Sequence, residues 1–259
     1  MSALNLDIAL GNIQYRLRKY SAEIKQSGPD AKLLLEMSAL YRQYGCGALL
    51  LEMDADAFFH ALYKSAKLYW YLLEQHDSHP KLDKYYLCKS RGVPLFDAMA
   101  CGELTLARQI GKKSTSTWNE GLEYEDDFHY FDVLGVLLNE PIEYYLLEKK
   151  LKVFEASLEG VDSPRFQMCI ALGSGDAIAF NKALQGMTTA WSEAIKKRRE
   201  SESIDPYFDK TEAHIFVEGI ALVKLAKYLG MRMTNEYWYV PSIALESSSI
   251  PFPKDFSGV

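Results

Sequence analysis

The stretch Ala213–Gly230, AHIFVEGIALVKLAKYLG, carries apolar side chains around most of its circumference and ends in a glycine. Its apolar residues recur at spacings of three and four, which is the period of an α-helix. The polar residues His214 and Glu218 fall loosely on one side together with two lysines. Apolar coverage this wide predicts a central helix that is largely buried.

The two ends of this stretch carry helix-terminating signals. Asp209 and Glu212 have the spacing of a capping box, and Gly230 suits a C-cap because glycine tolerates left-handed backbone. We therefore predict one helix over residues 210–229.

The same helical period continues over most of the chain, and strict alternation of apolar and polar residues is scarce. An Asp30 side chain after Gly28-Pro29 is suited to cap the second helix. We expect helices at residues 3–26, 30–44, 54–76, 80–90, 94–101, 103–111, 124–138, 141–158, 163–172, 175–200 and 210–229. The sequence thus predicts an all-α fold.

Two segments share one hairpin pattern, PLFDAMACGELTLARQI from Pro94 and QMCIALGSGDAIAFNKAL from Gln167. Each has a short apolar helix, then Gly102-Glu103 or Gly175-Asp176, then a second helix. Glycine can turn the chain, and an acidic residue is favoured at the next helix N-terminus. One such pair does not make a regular repeat. We expect an irregular bundle of stacked helical hairpins.

The bulk composition is that of a globular protein, with 48% hydrophobic and 25% charged residues among 259. We expect one mostly helical domain over residues 1–259, with lobes 1–92 and 93–259 as an alternative organisation. The formal net charge of −6 disfavours direct binding to nucleic acid, which needs concentrated Lys and Arg. An acidic chain instead favours basic partners.

The four cysteines lie too far apart for a CxxC pair or a zinc ribbon. Cys101 and Cys169 stand in apolar surroundings, which predicts small buried residues. The start of the chain lacks a secretory signal pattern, and apolar runs are too short to span a membrane. We expect a cytoplasmic protein with no membrane association.

The segment from Thr234 to the end is rich in Ser, Pro and aromatic residues. We expect it to pack extended against the helices, with Phe252 and Phe256 as anchors, and the last few residues to be loose.

The segment Gly121–Asp132, GLEYEDDFHYFD, concentrates acids and rings. On a helix that begins near Tyr124, the side chains of Glu125, His129 and Asp132 would share a face. Such a face leaves open a metal-dependent or acid–base hydrolase.

That catalytic alternative lacks a recognised motif. An HExxH zinc site needs two histidines on one face, and catalytic zinc ordinarily has three protein ligands. The acids could equally well stabilise the N-terminal end of a helix through its dipole or form a surface that binds a partner. Because no His or Cys pattern completes a site, we expect no metal, no cofactor and no catalytic turnover.

Three blocks together resemble the immunity protein 49 family of bacteria. They are YEDDFHYFDVLGVLL from Tyr124, SPRFQMCIALGSGDAIAFNKAL from Ser163, and AHIFVEGIALVKLAKYLGM from Ala213 followed by YVPSIAL. The most specific piece is Val217-Glu218-Gly219 with the later Val240-Pro241. The resemblance covers about the last 140 residues and is looser before Phe96.

The resemblance implies a mostly helical cytoplasmic inhibitor that binds a cognate secreted toxin of a polymorphic toxin system in bacterial competition. Such inhibition needs surface complementarity and no chemistry of its own. On this basis Glu123, Glu125, Asp126 and Asp127 are predicted to form a docking patch, which would steer association with a basic, nucleic-acid-processing toxin. A helical scaffold or regulator with several partners is a further alternative.

Overall fold

The computed structural model describes residues 3–78, 83–233 and 236–253. Within these ranges the chain forms eleven α-helices, four short 3₁₀ helices and no β-strand. The α-helices are α1 (Ala3–Ser27), α2 (Ala31–Glu52), α3 (Ala55–Ser78), α4 (Pro94–Ala100), α5 (Leu104–Lys113), α6 (Glu125–Leu137), α7 (Tyr144–Ser157), α8 (Pro164–Ser174), α9 (Ala177–Glu200), α10 (Pro206–Lys210) and α11 (Val217–Tyr228). The 3₁₀ helices are Lys84–Leu87, Lys89–Arg91, Glu212–His214 and Ser242–Leu245. The all-α prediction is confirmed.

The second helix is longer than its predicted end at residue 44. Asp30 caps its start as expected, accepting a hydrogen bond from the backbone N–H of Leu33 at 2.8 Å. Gly45 lies just after the predicted end, where it allows close packing and does not terminate the helix. A Cβ atom at Gly45 would lie 2.9 Å from the Cβ of Ala61 in α3, so glycine lets α2 approach α3 closely.

The predicted helix at 80–90 is wrong where the structure describes it. Residues 83–91 form two 3₁₀ helices, and residues 79–82 lie outside the described ranges. Asp83 caps the first of them by accepting a hydrogen bond from the backbone N–H of Tyr85 at 2.9 Å. The first of these 3₁₀ helices contacts α2, and the second contacts α6.

The predicted helix at 210–229 is broken into α10, a 3₁₀ helix and α11. The capping box is wrong, because Asp205 caps α10 and Asp209 pairs with Arg199 at 2.6 Å. The backbone N–H of Phe216 donates to the carbonyl of Tyr239 at 2.7 Å, so the chain leaves helical geometry to bind a distant turn.

The end of α11 follows the prediction. Gly230 has a φ of 84°, and the N–H of Met231 donates back to the carbonyl of Ala226 at 3.0 Å. Most of α11 is buried, as predicted for the central helix. Gly219 faces the ring of Phe216, and an added Cβ would lie 2.5 Å from it. This position therefore has no room for a side chain.

The two glycine hairpins have the predicted turns, with φ of 91° at Gly102 and 69° at Gly175. Asp176 caps α9 by accepting hydrogen bonds from the backbone N–H groups of Ile178 and Ala179. Glu103 occupies the equivalent position before α5 but makes no capping hydrogen bond. The glycine is therefore the common element of the two turns.

The helices pack in pairs around α4 and α11. In the first half, α2 lies along α3 and α1 lies on α2; in the second half, α6 packs on α7 and α8 on α9. The wholly buried α4 contacts both α3 and α11. One hydrophobic cluster extends from Leu10 in α1 to Ala244 near the C-terminus.

The C-terminal segment is anchored to α3. The ring of Phe252 stacks on Tyr63 with centroids 4.7 Å apart, which confirms one predicted anchor, while Phe256 lies outside the described residues. Asp56 accepts hydrogen bonds from Ser248 and Ser249. The segment is not extended throughout, because it includes the 3₁₀ helix Ser242–Leu245.

The four cysteines, Cys46, Cys88, Cys101 and Cys169, are free and buried. This agrees with the prediction of small interior residues at Cys101 and Cys169. Of the helices that the structure describes, none combines the length and apolar character needed to cross a bilayer.

Candidate functional site

Three neighbouring clefts meet at Ser90, which lies in the 3₁₀ helix Lys89–Arg91 shortly before α4. The central cleft has a volume of about 340 Å³ and is lined from α2, α6, α8, α9 and the 205–218 segment. The α2 cleft, of about 370 Å³, lies between α2 and residues 85–94. The α6 cleft, of about 610 Å³, lies between residues 90–91 and 121–127. Together they make one branched groove.

The central cleft is lined by charged and aromatic side chains in similar numbers. Its charged members are Arg42, Asp127, Arg165, Arg198, Glu212 and Glu218, and its rings are Phe96, Phe131, Trp191, Phe208 and Phe216. Because buried charges are costly unless they are paired, their pairing decides what the cleft can bind.

The first set of charges is the Arg42 cluster, in which Arg42 of α2 is bound to Asp97 of α4. The guanidinium donates two hydrogen bonds to the Asp97 carboxylate, at 2.6 and 2.7 Å. The hydroxyl of Ser65 in α3 donates to the same carboxylate at 2.5 Å. Burial opposes the charge of Arg42, but Asp97 and Glu212 more than offset it and raise the pKa of the guanidinium. This cluster ties three helices together.

The second set is the Arg165 cluster, which joins α8, α6 and α11. Arg165 donates to both carboxylate oxygens of Glu218, at 3.1 and 3.0 Å, and to Asp127 at 2.9 Å. The hydroxyl of Tyr130 donates to Glu218 at 2.8 Å. Glu218 raises the pKa of Arg165, while burial raises that of Asp127 despite Arg165. Side-chain exposure is 40% for Arg165 and 34% for Asp127, so this cluster is open to solvent.

Glu212 is the carboxylate with the weakest internal partner in the central cleft. Its nearest cation is Arg42 at 3.6 Å, and that guanidinium already makes two short hydrogen bonds to Asp97. Burial raises the pKa of Glu212, and Arg42 only partly opposes this. Arg198 lies nearby with its guanidinium 4.8 Å above the ring of Phe208. The pairing thus leaves Glu212 short of close donors.

The outer rim of the groove presents aromatic and arginine side chains to solvent. Arg91 lies 4.3 Å above the ring of Tyr85 and donates a hydrogen bond to its hydroxyl. Across the α6 cleft, Tyr124 is 78% exposed and Leu122 is also exposed. Arg and Tyr in clefts, with apolar neighbours, are the residue types that dominate binding energy at protein interfaces.

The four predicted docking acids have different surroundings. Glu123 is held internally, since its carboxylate accepts hydrogen bonds from the backbone N–H of Ser90 at 2.9 Å and of Asn119 at 3.2 Å. Asp127 belongs to the Arg165 cluster. Glu125 is 44% exposed, and Asp126 is exposed and makes no side-chain bond within the described part of the chain. All four lie at the α6 side of the groove, and the docking patch remains a prediction.

The positions of Glu125, His129 and Asp132 do not favour the hydrolase alternative. His129 and Glu125 are 3.5 Å apart, as expected for residues one helical turn apart. Asp132, however, is bound by Lys89 and Lys150, each at 2.5 Å. Across residues 3–78, 83–233 and 236–253, no cluster of His, Cys, Asp and Glu has the arrangement of a metal site. The two lysines occupy the oxygens that a metal would need.

Sequence reasoning missed the Arg42 cluster and Lys89. Asp97 is the single charged residue of the otherwise apolar helix PLFDAMA, and an isolated acid in such a helix signals a buried partner. These partners are far apart in the chain, so spacing gave no indication of them.

A comparison with protein-family models gives a match to "Immunity protein 49" over residues 38–244. The match begins well before Phe96, so it is more extensive than the resemblance seen in the sequence blocks. It includes the linings of the central and α6 clefts and both arginine clusters, and it includes the α2 cleft except for Lys32, Leu35 and Glu36. No curated protein and no solved structure matches the chain. The chain belongs to the immunity protein 49 family.

Proposed function

We propose that this protein neutralises a cognate bacterial toxin by binding it directly, with the branched groove around Ser90 as the docking surface. Family membership implies a toxin partner. The observation that carries the choice of surface is the clustering of the exposed Tyr124 and Leu122 with the half-buried Arg91 around the clefts. No chemistry by the immunity protein is required, because occlusion of the toxin suffices.

The clefts support tight binding because they offer pockets for side chains of the partner. Interface residues that contribute most are aromatic or arginine anchors placed in concave, water-excluding sites. The groove combines concave sites of several hundred Å³ with a rim of the same residue types. The preformed ion pairs on its walls reduce the ordering needed on binding.

The exposed acids at the start of α6 provide the electrostatic part of the proposal. Asp126 and Glu125 extend beyond the α6 cleft, where a basic partner would meet them during approach. Charges of this kind raise the association rate more than the final affinity, and their effect declines with salt. A basic, nucleic-acid-processing toxin in the cytoplasm is the partner that this arrangement favours.

The test begins by sequencing the genes beside this one. A toxin found there is then produced in a sensitive bacterial strain with and without this protein. We expect growth to be restored and a stable complex of the two proteins to form in solution. Recovery of several unrelated proteins in place of one toxin would favour a scaffold. Turnover of a substrate that is lost in Glu125→Gln or His129→Ala would favour the hydrolase.

A charge-reversal variant tests the docking patch. Asp126→Lys should slow association with the toxin by about tenfold at low salt, with a smaller effect at high salt. Its stability should change by no more than about 0.5 kcal/mol, because the side chain is exposed. Glu23→Lys, an exposed acid in α1, is the matched control and should leave association unchanged. Equal rates for both variants would contradict the patch.

A further inference from the structure

The central cleft holds more negative than positive charge when its walls are counted with their partners. The cleft lining has three carboxylates, those of Asp127, Glu212 and Glu218, and three guanidinium groups, those of Arg42, Arg165 and Arg198. Asp97 does not line the cleft but is bound to Arg42, and it adds a fourth carboxylate. Asp97 and Glu218 each take a two-bond contact from an arginine, which leaves Glu212 and Asp127 less completely neutralised. An incoming cation would therefore be favoured over an anion.

Aromatic rings surround the same carboxylates. Trp191 and Phe216 lie with their ring centroids 5.1 Å apart, and both line the cleft with Phe208. Rings attract cations through their faces, and guanidinium groups also stack on them. The molecule already uses this contact twice beside the cleft, with Arg198 above Phe208 and Arg165 above Tyr130, each at 4.8 Å.

We infer that the central cleft receives an arginine side chain of the partner protein, bound by Glu212 and by the surrounding rings. The inference rests on the proposed function, and it adds the chemistry of one anchoring contact. The cleft volume of about 340 Å³ admits one long side chain. Glu212 lines the cleft, and its side chain is 16% exposed.

The favoured occupant is arginine because of the geometry of its head group. A planar guanidinium can donate two hydrogen bonds to one carboxylate while its face rests on a ring, whereas an ammonium is more strongly hydrated and has no such plane. Glu212 supplies the carboxylate with unused acceptor capacity. An incoming glutamate or aspartate side chain would be repelled by Glu212 and Asp127. Of the arginines that line the cleft, Arg198 is the one bound to neither acid, and its guanidinium lies over the ring of Phe208.

The inference can be tested without the toxin by titrating the protein with Nα-acetyl-arginine methylamide. The readout is the NMR signal of the Trp191 indole N–H, assigned with Trp191→Phe. We expect saturable shifts with a dissociation constant on the order of 1–10 mM, which is typical of one residue in a pocket. The lysine analogue should bind more weakly and the glutamate analogue should not saturate. Absent saturation with arginine, or equal binding of the glutamate analogue, would overturn the inference.

Two variants and one control locate the site. Glu212→Gln should weaken binding of the arginine analogue by about tenfold or more, through loss of a charge-assisted contact. Phe208→Leu should weaken it by a few-fold, through loss of a ring, and serves if Glu212→Gln does not fold. Glu23→Gln changes an exposed carboxylate of α1 outside the groove and should leave binding unaltered. Equal binding by all three variants would place the ligand elsewhere and reject the cleft.

The toxin experiment separates this inference from the proposed function. Once growth rescue has been established, Glu212→Gln should weaken the toxin complex by about tenfold or more, while Glu23→Gln, at an exposed acid of α1 outside the groove, should not. If the unaltered protein restores growth and Glu212→Gln binds the toxin as tightly as the unaltered protein does, the arginine contact is overturned and the proposed function is unaffected. Absence of rescue by the unaltered protein contradicts the proposed function, whatever the result with the arginine analogue.

Discussion

The two arginine clusters on the walls of the central cleft have the same chemistry and different access to solvent. In the Arg42 cluster the side chains are 7% and 0% exposed for Arg42 and Asp97. In the Arg165 cluster they are 40% and 13% exposed for Arg165 and Glu218. Both arginines make two hydrogen bonds to one carboxylate.

This difference in exposure separates a cluster that supports the fold from a cluster that is available for binding. Water cannot compensate a charge left alone in the Arg42 cluster, so that cluster holds α2, α3 and α4 in one arrangement. Water can reach the Arg165 cluster, so its members can exchange partners at modest cost. An arginine–carboxylate pair therefore stabilises the fold on one wall of the cleft, and a second such pair can take part in binding on the other wall.

The largest expected effect comes from breaking the buried pair. Asp97→Ala leaves Arg42 charged without its main partner and should lower the free energy of unfolding by about 3–5 kcal/mol. Urea denaturation measures this directly. The double variant Arg42→Met/Asp97→Leu removes both charges and should lose less than Asp97→Ala alone. A double variant as unstable as the single one would show that packing, not charge, dominates at this site.

A smaller effect is expected in the exposed cluster. Arg165→Ala should cost about 1–2 kcal/mol, because Glu218 keeps the hydroxyl of Tyr130 and gains water. Lys152→Ala, which removes an exposed ion pair with Glu148 on α7, should cost about 0.5 kcal/mol or less. Thermal melting of the two variants side by side gives the comparison. A loss for Arg165→Ala as large as that for Asp97→Ala would remove the distinction between the clusters.

The smallest effect concerns Glu212, and its size depends on pH. Burial raises the pKa of Glu212 in the folded state above its ordinary value of 4.5, so the folded protein binds this proton more tightly than the unfolded chain. The ionised carboxylate therefore lowers stability, by an amount that is absent below pH 4.5 and grows as the pH rises through the raised pKa. Glu212→Gln does not titrate and should be as stable as the unaltered protein at pH 7 or up to about 1 kcal/mol more stable.

Urea denaturation of Glu212→Gln and the unaltered protein at pH 7 and pH 4.5 checks this sign. The advantage of the variant should shrink at the lower pH. A variant that is less stable at pH 7 than at pH 4.5, relative to the unaltered protein, would show that the Arg42 contact outweighs burial. The cleft would then have no deficit for a partner to relieve.

Local signals in the sequence determined the helices, several of their ends and the glycine hairpins. Apolar spacing located α3, α6 and α9, while Asp30 and Gly230 marked termini, because periodicity and capping depend on residues within one or two turns. The acidic start of α6 was also evident, and so were the blocks that resemble the family.

Only the tertiary structure decided where α11 begins and which charges meet. The N–H of Phe216 binds a carbonyl 23 positions later, Arg42 binds Asp97 across 55, and Glu123 binds Ser90 across 33. Such partners share no spacing along the chain, since they are brought together when the helices pack. The sequence pattern could place Glu123 and Asp127 near one surface. Only burial and long-range pairing determined that both are already bound within the protein, that Asp126 is exposed and that Glu212 lacks a close partner.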